Sequence, residues 1–198
     1  MKYLKTKPWI FMLVAASALL GMFLFPLWKI TLLAPQYPHG IAMFIWVTDI
    51  KGSDPATLQN INILNHYIGM KPIEPDSIPE LQYMKYIIIA ISGLGLILAF
   101  LNKWQLNLVW LILLVGAGAL AIYDFYLWEY DYGHNLNPNA AIKIEGMEYQ
   151  PPLIGKKQLL NFTAFSYPRL GTLFMTLSMV AGGLAVFLGM KQRKKLRK

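Results

Sequence analysis

Apolar residues collect in four long runs, about 9–28, 83–101, 106–123 and 170–190, and between them lie two mixed segments, 29–82 and 124–169. An α-helix rises about 1.5 Å per residue, so runs of this length cover a hydrocarbon core of about 30 Å. Each run therefore predicts a membrane-spanning helix. Only a few residues separate the second and third runs, which predicts an antiparallel hairpin. Small residues offer close helix contact: Ser92, Gly93 and Gly95, then Gly116 to Ala119, then Ala181, Gly182 and Gly183.

In the mixed segments the period changes. Residues 41–50 are rich in β-branched and aromatic side chains and lie between Gly40 and Gly52, which predicts a strand. Ser53-Asp54-Pro55 then reads as a helix start. The helix would carry Leu58, Ile61, Leu64 (or Asn65) and Ile68 on one stripe and stop at Gly69 and Pro72. Prolines 72, 75 and 79 predict an extended return to the membrane. Beyond the third run, Tyr123 to His134 mixes aromatics with Asp124, Glu129 and Asp131; it reads as the helix continuing outward at the interface, or as a ligand cluster. Residues 142–145 alternate like a short strand, and 156–165 read as an amphipathic segment lying on the membrane. The expected fold class is an all-α membrane protein: four transmembrane helices with a small mixed α/β extracytoplasmic cap built from the two long loops, all one polytopic unit over 1–198.

Composition agrees with a membrane protein, since 56% of the 198 residues are hydrophobic and 14% are charged. Charge adds an orientation. Lys2, Lys5, Lys7, Lys103, Lys191, Arg193, Lys194, Lys195, Arg197 and Lys198 flank the runs on one side with no acidic residue among them. All ten Asp and Glu lie in or at the edges of the long loops, with the other eight basic residues. The positive-inside rule then predicts both termini cytoplasmic and both long loops extracytoplasmic. The basic tail is a headgroup anchor and not a nucleic-acid surface. Ala16-Ser17-Ala18 could mimic a signal cleavage site, but it sits mid-run, so the first run reads as a retained anchor. No span carries an ionisable residue near its centre, which argues against channels, pumps and coupled transporters.

The chain has no cysteine, which removes disulfides, thiolate zinc sites and covalent haem. What chemistry remains is His and Met. His66 and Met70 are four apart and would share one face of the predicted helix. His39 and Met43 have the same spacing but lie on a predicted extended stretch, roughly 13 Å apart. The third histidine, His134, precedes Met147 in the second loop. Imidazole with thioether suits Cu(I) better than magnesium or calcium, so His66 with Met70 is the candidate copper pair, with His134 or Met147 supplying a third ligand. The plain alternative is an interfacial histidine and a packing methionine. No phosphate loop, nucleophile elbow or His-Glu-x-x-His occurs, and no residue is assigned a catalytic role.

The stretch Leu58-Gln-Asn-Ile-Asn-Ile-Leu-Asn-His66-Tyr-Ile-Gly-Met-Lys-Pro72, with Ala34-Pro-Gln-Tyr-Pro-His39-Gly and Glu129-Tyr-Asp-Tyr-Gly-His134-Asn, resembles a family of small four-span bacterial membrane proteins that accompany the copper-dependent nitrous oxide reductase and its accessory proteins. The resemblance covers the two loops, about half the chain. It implies the bacterial inner membrane as the location and a setting of periplasmic copper and anaerobic respiration, not a mechanism. The expectation is thus a non-enzymatic accessory protein for copper handling or assembly of a periplasmic respiratory enzyme. The alternative is a structural membrane anchor or subunit that docks a periplasmic or membrane partner, such as a redox protein, through Trp46, Tyr126, Trp128 and the acidic residues. A subunit holding non-covalent haem is less favoured, because no histidine lies in a span.

Overall fold

Long apolar runs become helices, and the mixed segments become a sheet that those helices carry at one end. The computed structural model describes residues 7–196, with side chains to 194. Of the basic residues that predicted orientation, Lys2, Lys5, Arg197 and Lys198 lie outside the described residues, as does the Lys195 side chain.

Four apolar helices pack together: α1 (Pro8–Leu20, continued by a 3-10 turn over Gly21–Phe23), α3 (Pro79–Leu101), α4 (Trp104–His134) and α5 (Leu170–Leu196). A shorter helix, α2 (Thr57–Ile68), belongs to the sheet layer. Among the described residues three helices are long and apolar enough to cross a membrane, namely α3, α4 and Leu170–Lys194 of α5. The chain is therefore a membrane protein, but the expectation of four spanning helices is overturned. The run 9–28 divides among α1, the 3-10 turn, Pro26 and a strand that begins at Trp28. Its helix has 13 residues and is about 20 Å long, short of a hydrocarbon core of about 30 Å.

The reason lies in packing. Met12, Ala15 and Ala16 of α1 are fully buried, and Leu19 nearly so. Much of the run's apolarity thus serves a protein core. Small residues bring the neighbours close: Ser92 Oγ of α3 donates to the Ala16 carbonyl at 2.9 Å, and Ser178 Oγ of α5 donates to the Ala15 carbonyl at 2.7 Å. Trp110 of α4, fully buried, donates through Nε1 to the Ile91 carbonyl at 2.8 Å. A Cβ on Gly95 would lie 2.9 Å from that indole nitrogen, so glycine permits the contact. Asn102, in the left-handed region at φ 46°, closes the predicted α3–α4 hairpin.

The sheet overturns the all-α expectation. Five antiparallel strands, β1 (Trp28–Ala34), β2 (Tyr37–Ile45), β3 (Ile50–Gly52), β4 (Gly155–Leu159) and β5 (Phe162–Pro168), lie in the order β3-β2-β1-β5-β4. The predicted strand over 41–50 is instead the end of β2, a turn in which Trp46 N–H donates to the Asp49 carbonyl, and the start of β3. The segment 156–165, expected flat on the membrane, is a hairpin that turns at Leu160 (φ 53°). Residues 142–145 form no strand. Trp28 to Leu33 pair with Thr163 to Pro168, joining the two long segments in one sheet. Since β1 follows α1 and β5 precedes α5, these antiparallel helices run directly into antiparallel strands, and Gly171 N–H donates to the Pro26 carbonyl at the junction.

One face of the sheet packs on α2 and on the last turns of α4. The cluster contains Trp28, Ile30, Ile41, Met43, Ile50 and Ile61, closed by Phe125, Trp128 and Tyr132 of α4. Indole Nε1 of Trp28 donates to Ser166 Oγ at 2.7 Å, across the central strand pair. The predicted stripe of α2 holds, with Ile61, Asn65 and Ile68 buried. Tyr123 lies about 28 Å along α4 from Trp104, so the remaining residues extend past the spanning part into the sheet layer. That continuation was expected; its packing role was not.

Candidate functional site

The six candidate donors all fall in the sheet layer, but not in the predicted arrangement. Helix α2 stops one residue before Gly69, which takes φ 82°, and Met70 N–H donates back to the Asn65 carbonyl. This is a left-handed helix end that turns the chain away from the axis. Met70 thus leaves the helical face of His66 and packs inward on the sheet cluster, while His66 stays exposed beside Tyr67. His66 and Met70 both border an open groove of about 980 Å³ with Tyr67, Glu74 and Asp76. They are no longer a helical i, i+4 pair.

The second pair is separated too. His39 is exposed at the start of β2, and Met43 is buried in the sheet cluster. His134 ends α4 and is held by three contacts. Its ring stacks on Tyr130 at 3.9 Å, Nδ1 lies 2.9 Å from the Tyr130 carbonyl oxygen, and Nε2 lies 2.6 Å from Glu148 Oε2. Lys157 of β4 reaches the other Glu148 oxygen at 3.2 Å. Lys157, then His134, hold the Glu148 carboxyl below the usual carboxylate range. This cluster fastens the second loop to the sheet; Met147 beside it is half-buried. Among the described residues no group of three or more His, Asp or Glu side chains is placed to hold a metal ion.

Two of the predicted donors do converge. Met43 and Met70, one from each of the two pairs, line the same cavity of about 50 Å³ between the sheet, α2 and α4. Glu129 lines it as well. Its side chain is fully buried, and neither carboxylate oxygen meets a hydrogen-bonding group among the described residues. The buried hydroxyl of Tyr149, also on this cavity, is likewise unpartnered among them. Buried polar groups are normally paired, and a buried ionised carboxylate without compensation is costly, so this combination marks the cavity out. The space suits one ion or a few waters and excludes an organic substrate.

Sequence reasoning passed over Glu129, grouping it with Asp124 and Asp131 as interfacial acids. Those two differ in kind. Asp131 pairs with Lys71 at 2.6 Å on the outside, and Asp124 is exposed. The helical period held the signal: Glu129 falls four residues after Phe125 and three before Tyr132, on the stripe that packs against the sheet. Trp128, proposed for docking a partner, belongs to that same inner packing, with its ring 4.5 Å from Tyr132.

The two long segments enclose the cavity jointly. Asn137 N–H donates to the Gly69 carbonyl at 2.7 Å, Ile142 N–H to the Tyr67 carbonyl at 2.9 Å, and Tyr132 Oη to the Pro72 carbonyl at 3.1 Å. Asn62 of α2 holds Ile73 by both its backbone groups. Compared with known protein families, with curated proteins and with solved structures, the chain finds no match.

Proposed function

We propose that this membrane protein is a non-enzymatic accessory factor that handles copper for a respiratory enzyme outside the cytoplasm, nitrous oxide reductase being the example its resemblance suggests. The reading places the sheet layer on the extracytoplasmic side of a bacterial plasma membrane and the C-terminal end of the chain in the cytoplasm. Antiparallel packing supports this orientation: Lys103, Lys191, Arg193 and Lys194 sit at the end of the helices opposite the sheet.

The observation that carries the copper reading is the shared cavity of Met43 and Met70. Thioether sulfur is a soft donor with little affinity for magnesium or calcium and a preference for Cu(I). Titrating the detergent-purified protein with Cu(I) against a competing chelator tests it. One ion should bind, and the Met43→Leu, Met70→Leu double variant, which conserves volume, should lose affinity by at least about 10-fold. Unchanged affinity in a folded double variant would remove the copper role and leave a membrane anchor for a protein partner as the function.

A further inference from the structure

Resting on that copper reading, we propose that Glu129 is the third donor of the cavity, and that Met43, Met70 and Glu129 together form a site for one soft monovalent cation.

Charge decides the valence. The cavity is walled by Ile30, Leu32, Ile61, Leu64 and other apolar side chains, and Glu129 supplies the sole acidic group among its lining residues. A single carboxylate with a single monovalent ion is a neutral pair. A divalent ion there would leave one uncompensated positive charge in an apolar interior, at the desolvation cost that makes unpaired buried ions rare. Ligand softness decides the class. Hard cations such as sodium, calcium and magnesium take about six or more oxygen donors. The side chains on this cavity offer five oxygens in all, two from Glu129 and one each from Tyr149, Tyr132 and Asn65, and Tyr132 Oη already donates to the Pro72 carbonyl. Two thioethers with a carboxylate instead match the low coordination of Cu(I) and of Ag(I).

Position explains why a carboxylate is tolerated here. Glu129 lies past the spanning part of α4 and is covered by strands from one long segment and by Tyr149 and Pro151 from the other. A bound cation would balance the ionised carboxylate, which has no hydrogen-bond partner among the described residues.

The test uses full-length protein in detergent, labelled with ¹³C at the methionine methyls and titrated with Ag(I), which resists oxidation, and separately with Zn(II). Ag(I) should shift two methyl signals, assigned by their loss in Met43→Leu and Met70→Leu, and Zn(II) should shift neither. Glu129→Gln keeps size and removes the charge; Ag(I) and Cu(I) affinity should fall by at least about 10-fold, with both methionine signals still present in the folded protein. If Glu129→Gln binds as the wild type does while the double methionine variant does not, Glu129 is no ligand and the copper reading survives. Shifts produced equally by Zn(II) would overturn the monovalent assignment. A wild-type protein whose methionine signals ignore both Ag(I) and Cu(I) would remove this site and the copper reading together.

Discussion

The helical layer closes around α1, whose Met12, Ala15 and Ala16 are wholly buried, whereas the sheet layer closes around Trp28, Ile30 and Met43 of two central strands. In the first, small residues and serine hydroxyls tie helix to helix: each Ser donates to a carbonyl of α1, the element both neighbours share. In the second, partners 138 residues apart hold the centre, as Trp28 does with Ser166, and the interior retains a carboxylate without a hydrogen-bond partner among the described residues. Both layers have apolar cores. Buried hydroxyls fasten both, and each keeps an unpartnered polar side chain among the described residues, Asn107 in the helical layer and Glu129 in the sheet layer; they differ in that Glu129 is ionisable and lines a cavity.

The largest effect is expected where the helical layer is tightest. Trp110→Ala removes a fully buried indole packed against Gly95 and Gly182, and should cost about 3–5 kcal/mol in thermal unfolding of the detergent-solubilised protein. A cost under about 1 kcal/mol would mean that α4 is not locked into the bundle by this residue. The sheet layer is tested by Ser166→Ala, which strands the Trp28 indole N–H in a buried site. About 1–3 kcal/mol should be lost, with hydrogen exchange accelerating in β1 and β5 before it does in α3. Uniform acceleration throughout would show that the two layers unfold as one unit.

Smaller changes probe how the second segment is fastened. Tyr132→Phe keeps the ring in the cluster and deletes its bond to the Pro72 carbonyl, an expected loss of about 1 kcal/mol and a looser 71–74 segment by exchange. The smallest effect is that of pH on Glu148. Its carboxyl is held below its ordinary value of 4.5 by Lys157 and then His134, so it contributes stability above that value and loses it as pH falls through the depressed folded value. Protection against exchange in residues 135–154, corrected for the intrinsic rate, should therefore fall on acidification below about 4.5, and Glu148→Gln should flatten that fall. A profile identical in the variant would assign the acid sensitivity to other carboxylates.

Helix α2 shows how far local signals reach. Its stripe and its end at Gly69 were legible, because helical periodicity and a left-handed glycine are properties of neighbouring residues. The same glycine nevertheless defeated the His66–Met70 pairing. A helix that stops at Ile68 cannot carry Met70 on its face, and the signal for the stop outweighed the spacing. For β1 and β5 there was less to read. Their strand character rests on pairing with each other, and Trp28-Lys29-Ile30 viewed alone continues an apolar run.

By itself, then, the sequence determined that this is a membrane protein with long apolar helices, that its three histidines lie outside the four long apolar runs, and that α2 ends at Gly69. Those properties depend on composition and on residues a few positions apart. Only the tertiary structure decided that α1 is a short core helix, since hydropathy is the same whether a methionine faces lipid or lies in a core with Trp110 and Ala185. It alone built the sheet from strands more than 100 residues apart, and alone brought Met43, Met70 and Glu129 to one cavity. Burial of that carboxylate is a property of the residues around it, which α4 carries into place from the far side of the helical layer.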